Sequence, residues 1–541
     1  MGKIQLLDCT LRDGAYIVDS KFGDAAIRGI IGKLQDVGTD VIECGWLKDK
    51  EHEAGSTFFH IPDDVIPYLS SKKSNITYSV MIDWDRYNVE AMPEYDGKSI
   101  DAVRVVFPHG KYREGMEVGR RIKEKGYKIL FQSANTLAYS DEDLIALADE
   151  ANKLKPVALS VVDTFGAMFE EDLDRIISVL DEHLDPDIKL GFHSHNNQQL
   201  AFALTCHFVK FFAERERDIM VDATLCGMGR GAGNATTELV VSFLNRKCGC
   251  HYNLDAVMDA IDIYMGYFKE NYRWGYSTPY FIAGMYQCHV NNIAYLLNNH
   301  RTSARDMRNI IQSMDQADRI KYDYDLLEQK YLRIVNRKVD DTAARTELIE
   351  KLSGRPVVLI APGRSSLDEQ EKIKAYALEN NAVLIAVNAL LPGYEYDYAF
   401  FVNPARYEYA SGLSSDEFKK VRKILLSNIK TEGLDNELIV AYDHAIKQGW
   451  PHFDNAVMCA LRLLDWLGIC EVSIAGFDGF KTRYNESYAD PQLPSLNPEN
   501  KWDELNEEIR SMFAEFRENA ENLKRIHFLT ESYFDTPKAS P

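Results

Sequence analysis

The feature that most restricts this 541-residue chain is a regular alternation in its first half. Short β-branched or apolar runs recur at Ile4 to Asp8, Val41 to Cys44, Ile76 to Ile82, Ala102 to Phe107, Lys128 to Gln132, Ala158 to Val162, Lys189 to His193 and Ile219 to Thr224, with longer amphipathic stretches between them. Parallel strands need long crossover connections, usually helices, so eight such runs predict an α/β fold of the (β/α)8 TIM-barrel type, with a doubly wound sheet as runner-up. Barrel active sites lie at the carboxyl ends of the strands. Those ends carry Arg12 and Asp13, Glu43, Asp83, His109, Gln132 and Asn135, Asp163, His193 and His195, and Asp222, whereas the strand starts are bland. This one-sided polarity is what a catalytic rim requires.

Within the rim, Leu190-Gly-Phe-His193-Ser-His195-Asn196 ends a strand with two histidines two positions apart. Residues i and i+2 of a strand share a face, so the two imidazoles address one point. Half a metal site results, and the opening run Leu6-Leu-Asp-Cys-Thr-Leu-Arg12-Asp13-Gly14 offers the missing carboxylate. After the eighth run, Gly227-Met-Gly229-Arg-Gly231-Ala-Gly-Asn234 is too glycine-rich for a regular element. Its glycines permit close backbone approach, and Asn234 adds an amide oxygen as a further hard ligand.

A formal net charge of -21 argues against a nucleic-acid or anionic-membrane surface and leaves a small molecule as the default partner. No apolar run approaches the roughly 20 residues of a membrane span, and the chain enters its first strand without a signal-like apolar region, so the cytoplasm is expected. Nine cysteines, an odd number spread over a long chain, fit reduced thiols better than a disulfide framework. Cys248-Gly-Cys250 with His251 is read as incidental.

The barrel is assigned to residues 1–250, a helical extension interrupted at Tyr276-Ser-Thr-Pro to 251–352, and a Rossmann-like α/β domain to 353–541. In the last, strands are expected at Val357 to Ala361, Ala382 to Val387, Tyr398 to Val402, Lys423 to Leu426, Glu437 to Ala441 and Glu471 to Ala475, followed beyond Trp502 by one charged helix and a disordered end. Two of these strands run into Pro362-Gly363-Arg-Ser365-Ser366 and Gly476-Phe-Asp478-Gly-Phe. A strand leading through such a loop into a helix suits a phosphate group, which makes Gly363, Ser365, Ser366 and Asp478 candidate nucleotide contacts, although neither G-x-G-x-x-G nor a P-loop lysine is present.

Together, Thr10-Leu-Arg-Asp-Gly, His193-Ser-His-Asn and the glycine loop ending in Asn234 resemble the metal-dependent lyase and aldolase superfamily of TIM barrels, which includes 3-hydroxy-3-methylglutaryl-CoA lyase, 2-isopropylmalate synthase and 4-hydroxy-2-oxovalerate aldolase. The resemblance spans about residues 1 to 290, and Val161-Val-Asp-Thr-Phe-Gly-Ala-Met with Gly275-Tyr-Ser looks most like the last of these. It implies that Asp13, His193 and His195, with Asn234 nearby, hold one divalent cation, Mn2+ or Mg2+ ahead of Zn2+ or Co2+. It further implies a lyase or aldolase acting beside the carbonyl of a 2-oxo acid, with Arg12 stabilising enolate charge, Glu43 orienting Arg12 or a water, and Gln132, Asp163, Thr164, Gly229 and Gly231 contacting substrate. Relatives of this kind are commonly homo-oligomers. One departure stands out: the aldolase has a histidine base three residues after its metal aspartate, where this chain has Tyr16. Either Tyr16 acts with a lowered pKa, a water takes its place, or Tyr276 takes part. The C-terminal motifs are similar to Rossmann-like domains of sialyltransferase type, which implies a nucleotide or nucleotide-sugar partner and a substrate used in surface-carbohydrate biosynthesis. Condensation with an acyl-CoA, a nucleotide-sugar transferase activity in residues 353–541, and a non-catalytic metal-dependent assembly role are the competing expectations.

Overall fold

The computed structural model describes residues 2–535 apart from 414, 432–435, 482–483, 496 and 498–500. It divides into two compact units, Met1–Val290 with Arg319–Lys321, and Asn291–Asp318 with Tyr322–Pro541. The expected extension 251–352 is helical, and its helices are shared between these units.

The first unit contains β1 (Ile4–Asp8), β2 (Val41–Leu47), β3 (Thr77–Asp83), β4 (Ala102–Phe107), β5 (Lys128–Ser133), β6 (Ala158–Asp163), β7 (Lys189–Ser194) and β8 (Ile219–Ala223). They pair in parallel in chain order, and β1 joins both β8, from Ile4 opposite Ile219 to Asp8 opposite Ala223, and β2, with Leu7 opposite Val41. The sheet closes on itself, which excludes the doubly wound alternative. Strand β2 runs three residues further than expected because it absorbs a register shift between Glu43 and Trp46. Gly45 allows this: its φ is +154°, and a Cβ there would lie 2.1 Å from the Thr57 carbonyl oxygen.

Outer helices follow the amphipathic pattern. The helix Asp24–Val37 buries Ile27, Ile30, Ile31 and Leu34 and stops at Gly38, whose φ of +80° suits glycine. Inside the barrel, the alternation of side chains builds layers. An apolar plug of Leu7, Val41, Ala102, Leu130, Ala158 and Met220 fills the lower interior. Two residues further along the same strands, and therefore on the same inward face, stand Cys9, Glu43, Arg104, Gln132, Ser160 and Asp222, all buried. The two-residue period thus stacks a polar layer directly on an apolar one.

The second unit holds a seven-stranded, fully parallel sheet of β9 (Val357–Ile360), β10 (Val383–Val387), β11 (Tyr398–Phe401), β12 (Arg422–Leu426), β13 (Glu437–Val440), β14 (Glu471–Ala475) and β15 (Arg525–Phe528), in the order β13-β12-β11-β10-β9-β14-β15. Chain direction across the sheet reverses between β9 and β14. The tail corrects the sequence reading: the charged helix is present at Trp502–Asn519, but β15 follows it and pairs with β14 from Arg525 opposite Glu471 to Phe528 opposite Ile474. Arg525-Ile-His-Phe528 is too short and too polar to stand out as a strand by itself; an exposed edge position tolerates those residues. The last residues of the expected disordered end, 536–541, lie outside those described.

Candidate metal centre

The single helical turn Thr10–Asp13 after β1 brings Asp13 to the two histidines at the end of β7. One ligand atom from each of Asp13, His193 and His195 lies within 4.8 Å of the others, with both imidazole Nε2 atoms near the same oxygen: Asp13 Oδ2 is 3.5 Å from His193 and 4.0 Å from His195. The tautomers are fixed from behind. His193 Nδ1 lies 2.9 Å from Asp222 Oδ2 and His195 Nδ1 lies 2.9 Å from the Asp163 backbone oxygen, so both Nδ1 atoms donate and both Nε2 atoms face inward; burial would lower His193, but Asp13 and Asp222 outweigh it and raise it, so a cation at its Nε2 takes the place of a proton. Asn234 Nδ2 donates to Asp13 Oδ2 at 2.5 Å, while Asn234 Oδ1 and His193 Nε2 are buried with no hydrogen-bond partner among the described residues. Orphaned acceptors of this kind, beside a carboxylate, fit a divalent cation with mixed oxygen and imidazole ligation. A second triad, Cys9, His193 and Asp222, also clusters. It fits less well, because burial pushes the Cys9 thiol up, away from the thiolate a metal needs, and Asp222 already accepts from the back of His193.

Electrostatics keep the site anionic where a cation would sit. Burial alone would push the Asp13 carboxyl up, but Arg12, His193 and His195 outweigh it and hold the group well below the usual carboxylate range. Arg12 bridges Asp13 Oδ1, 2.9 Å from NH1, and Glu43 Oε2, 2.7 Å from Nε, while its NH2 is buried and unpartnered. Its backbone oxygen accepts from Trp46 Nε1 at 3.0 Å. His195 is lowered to about 4 by burial and by His193, which keeps it neutral.

Sequence reasoning missed the residue that ties this layer together. Arg104, fully buried, places NH2 on Asp222 Oδ2 and 3.3 Å from Ser160 Oγ, with NH1 3.5 Å from Glu43 Oε2. Burial raises the Asp222 carboxyl, and Arg104 followed by His193 more than reverses this. The signal was available: an arginine at the centre of Ala102-Val-Arg-Val-Val-Phe107, on the inward period, has no reason to be there unless carboxylates await it. Gly191 makes room for the crowded layer, since a Cβ there would lie 2.2 Å from Ser160 Oγ.

The remaining barrel candidates separate into those near the centre and those away from it. Gly229 abuts the centre, where an added Cβ would fall 2.5 Å from Asn234 Nδ2 and 3.4 Å from Asp13 Oδ2. Gly231, with φ +68°, has Asn197 Oδ1 within 3.2 Å of its Cβ position. Gln132 is buried with Oε1 unpartnered. Thr164 Oγ1 accepts from the Asn135 amide at 2.6 Å, and the Asp163 carboxylate accepts from the amides of Ala167 at 2.8 Å and Met168 at 3.3 Å; burial lifts Asp163 to about 7. The Asp163 carboxylate therefore organises its turn, and its backbone carbonyl serves His195.

Tyr16 has a partly open ring lying under Arg230, whose guanidinium carbon is 4.1 Å from the ring centroid. The dense surroundings of the barrel mouth push the phenol up to about 12, Arg230 only partly offsetting them. This is opposite to the lowered pKa that a phenolate base requires. Tyr276 is exposed in the turn where Ser277 caps the helix Thr278–Met285, and none of the hydrogen bonds among the described residues joins it to Asp13, His193 or His195. His109 pairs with Asp143 at the surface, and Asp83 with Lys48.

In the second unit, Ser365 donates through its amide to Asp478 Oδ2 at 2.9 Å and through its hydroxyl to Oδ1 at 2.5 Å; Ser366 Oγ donates to the carbonyls of Ala361 and Gly363. A Cβ on Gly363 would lie 2.3 Å from the Gly476 oxygen. The glycine therefore serves the approach of two loops at the ends of β9 and β14.

Residues 112–263 match the HMGL-like family model. Among curated proteins, the chain is 28% identical over 257 residues to oxaloacetate decarboxylase of Mycobacterium tuberculosis, covering 47% of this chain and 74% of that protein. It is also 28% identical over 268 residues to 4-hydroxy-2-oxovalerate aldolase of Thermomicrobium roseum, covering 48% and 71% respectively. Among solved structures, HMG-CoA lyase from Brucella melitensis aligns over 50% of this chain and 100% of its own with 16% identity and a TM-score of 0.37, too distant to bear on function. The closed eight-stranded barrel is thus similar, through the match over residues 112–263 and the two curated relatives, to HMGL-like proteins.

Proposed function

We propose that the barrel is a divalent-metal-dependent carbon–carbon lyase that makes or breaks the bond next to the carbonyl of a 2-oxo acid. The observation that carries this reading is the set of buried atoms left without partners at one point, Arg12 NH2, His193 Nε2 and Asn234 Oδ1, around a carboxylate held ionised. The two curated relatives named above take oxaloacetate and 4-hydroxy-2-oxovalerate, both 2-oxo acids, in agreement with it.

Asp13, His193 and His195 would hold the cation and Asn234 would complete its surroundings, Mn2+ or Mg2+ suiting the ligand set best. When bound, the cation supplies a Lewis acid for the substrate's keto and carboxylate oxygens. Arg12 is pre-positioned by Glu43 and Asp13, so its free NH2 meets developing negative charge on the keto oxygen without reorganisation. Asp222 and Arg104 keep His193 in one tautomer. Tyr16, protonated at neutral pH, acts as a hydrogen-bond donor at the mouth. We further read the protein as cytoplasmic, homo-oligomeric and acting on a sugar acid, with a nucleotide sugar as the partner class that a parallel second unit suits.

The test is metal content with a competent partner reaction. Purified protein should hold about one divalent ion per chain, lost in His193→Ala and Asp13→Asn, and the wild type should cleave a 4-hydroxy-2-oxo acid or decarboxylate oxaloacetate only when loaded. A protein that holds the ion and leaves every 2-oxo acid unchanged would overturn the reading.

A further inference from the structure

The carboxyl ends of β9, β10, β11 and β14 open into a cleft of about 790 Å3, counted out to its mouth, within the second unit. It lies at the point where chain direction across the parallel sheet reverses, the position at which open α/β sheets bind ligands. What distinguishes it is a cation uncompensated among the described residues. Arg406 lines the cleft at 5% exposure, yet no carboxylate, carbonyl or hydroxyl among the described residues pairs with its guanidinium, and NH1 is buried without a partner. Its one contact of note is the Tyr488 ring, whose centroid is 4.6 Å away. A buried, unpaired guanidinium is costly unless an anion arrives. The other cleft-lining arginine, Arg301, is already matched by Asp454, and the Asp478 carboxylate is turned onto Ser365.

The neighbouring groups are donors as well. Asn388, Asn403 and Asn455 line the same cleft, and in each the amide oxygen is consumed by backbone: Asn388 Oδ1 accepts from Val402 at 2.9 Å, Asn403 Oδ1 from Ala405 at 2.9 Å, and Asn455 Oδ1 from Met458 at 3.1 Å. Their NH2 groups have no partner among the described residues. Asn403 and Asn455 cap the helices Pro404–Gly412 and Ala456–Trp466, so two helix N-termini present their positive ends to the same space. One guanidinium and three amide donors without partners among the described residues, with two helix dipoles, call for an acceptor-rich anion, and Tyr488 and Phe480 add flat apolar surface for a ring beside it.

We propose that the second unit binds a nucleotide in this cleft, its phosphate held by Arg406 and by the amides of Asn388, Asn403 and Asn455, with the Gly363–Ser366 loop supplying wall instead of cradle. The proposal stands independently of the barrel chemistry.

The test is calorimetric titration of the full chain, with chelator present so that no ion at the barrel can recruit phosphate, using inorganic pyrophosphate and the nucleoside diphosphates ADP, GDP, UDP and CDP as probes. At least one nucleoside diphosphate should bind, pyrophosphate should compete with it, and Arg406→Gln should weaken binding at least tenfold. Asn455→Asp provides a second variant that retains the helix cap while placing a carboxylate in the cleft, and it should weaken binding by at least as much. Absence of binding by all five probes at millimolar concentration would overturn the proposal. So would affinity unchanged in either variant, or binding of pyrophosphate alone, which would remove the nucleotide class.

Discussion

Replacing Asp222 by Asn isolates the contribution of the layer behind the proposed metal ligands. In the wild type, Asp222 Oδ2 accepts from both His193 Nδ1, at 2.9 Å, and Arg104 NH2, and all three groups are buried. An asparagine of the same shape can still accept through its oxygen at that position, so the His193 tautomer survives while the charge is lost. Two charge-assisted hydrogen bonds become ordinary ones, a difference of about 1 kcal/mol each. The imidazole also becomes a poorer donor to the cation, and changes at such positions typically reduce metal affinity about 10- to 100-fold, equivalent to about 1.4 to 2.8 kcal/mol. Asp222→Ala goes further by leaving Arg104 with the neutral Ser160 hydroxyl at 3.3 Å and the 3.5 Å contact to a Glu43 carboxylate shared with Arg12; breaking a buried pair in this way costs about 3 to 5 kcal/mol. Calorimetric titration of chelator-stripped protein with Mn2+ reads the affinity, and the barrel's thermal transition without metal reads the stability. A ranking of wild type, then Asn, then Ala in both is expected. Metal affinity in Asp222→Asn within twofold of wild type would refute the orienting role assigned to this carboxylate.

Gly229→Ala should keep the barrel folded while reducing metal affinity more than tenfold, because the new Cβ meets Asn234 Nδ2 at 2.5 Å, an overlap of the kind that costs about 1 to 3 kcal/mol; the same titration checks it. Saturating metal at about 100 times Kd should raise barrel stability by about 2.7 kcal/mol, visible as a Tm shift that chelator reverses and that His193→Ala lacks. For Tyr16, the folded pKa of about 12 lies above the ordinary 10.0, so the phenol stays protonated through neutral pH and its stabilising contribution is present below pH 10 and lost as pH rises toward 12. Tyr16→Phe should therefore lower kcat without moving any pH–rate limb between pH 6 and 9; a limb that disappears in the variant would restore Tyr16 as the base.

The barrel was legible because its signal is repeated: an eightfold alternation leaves few other folds, and strands Ala102–Phe107 and Glu471–Ala475 fall where their apolar runs do. The approach of His193 and His195 to one point was legible from a two-residue period, and the carboxylate that joins them from a polar break after the first strand. Arg104 was overlooked because a charge inside an apolar run reads as an interruption until the inward register is known; only closure of the barrel brings it to Glu43 and Asp222, 61 and 118 residues away in sequence. Strand β15 was hidden for a different reason, since its neighbour β14 supplies the pairing that Arg525-Ile-His-Phe528 does not advertise. Arg406 shows the same limit: its position in a helix's first turn is readable, but its lack of a partner belongs to three dimensions.

Deuterium exchange from solvent into the methyl group of pyruvate, followed by proton NMR, is the most direct test of enolate chemistry in the barrel. With Mn2+ present, wild-type protein should exchange the methyl protons, chelator should abolish the exchange, and Arg12→Ala should reduce it by about 100-fold or more, the loss expected when one pre-positioned oxyanion donor is removed. Absence of exchange from protein shown to hold its ion, or exchange that persists undiminished in Arg12→Ala, would contradict the account.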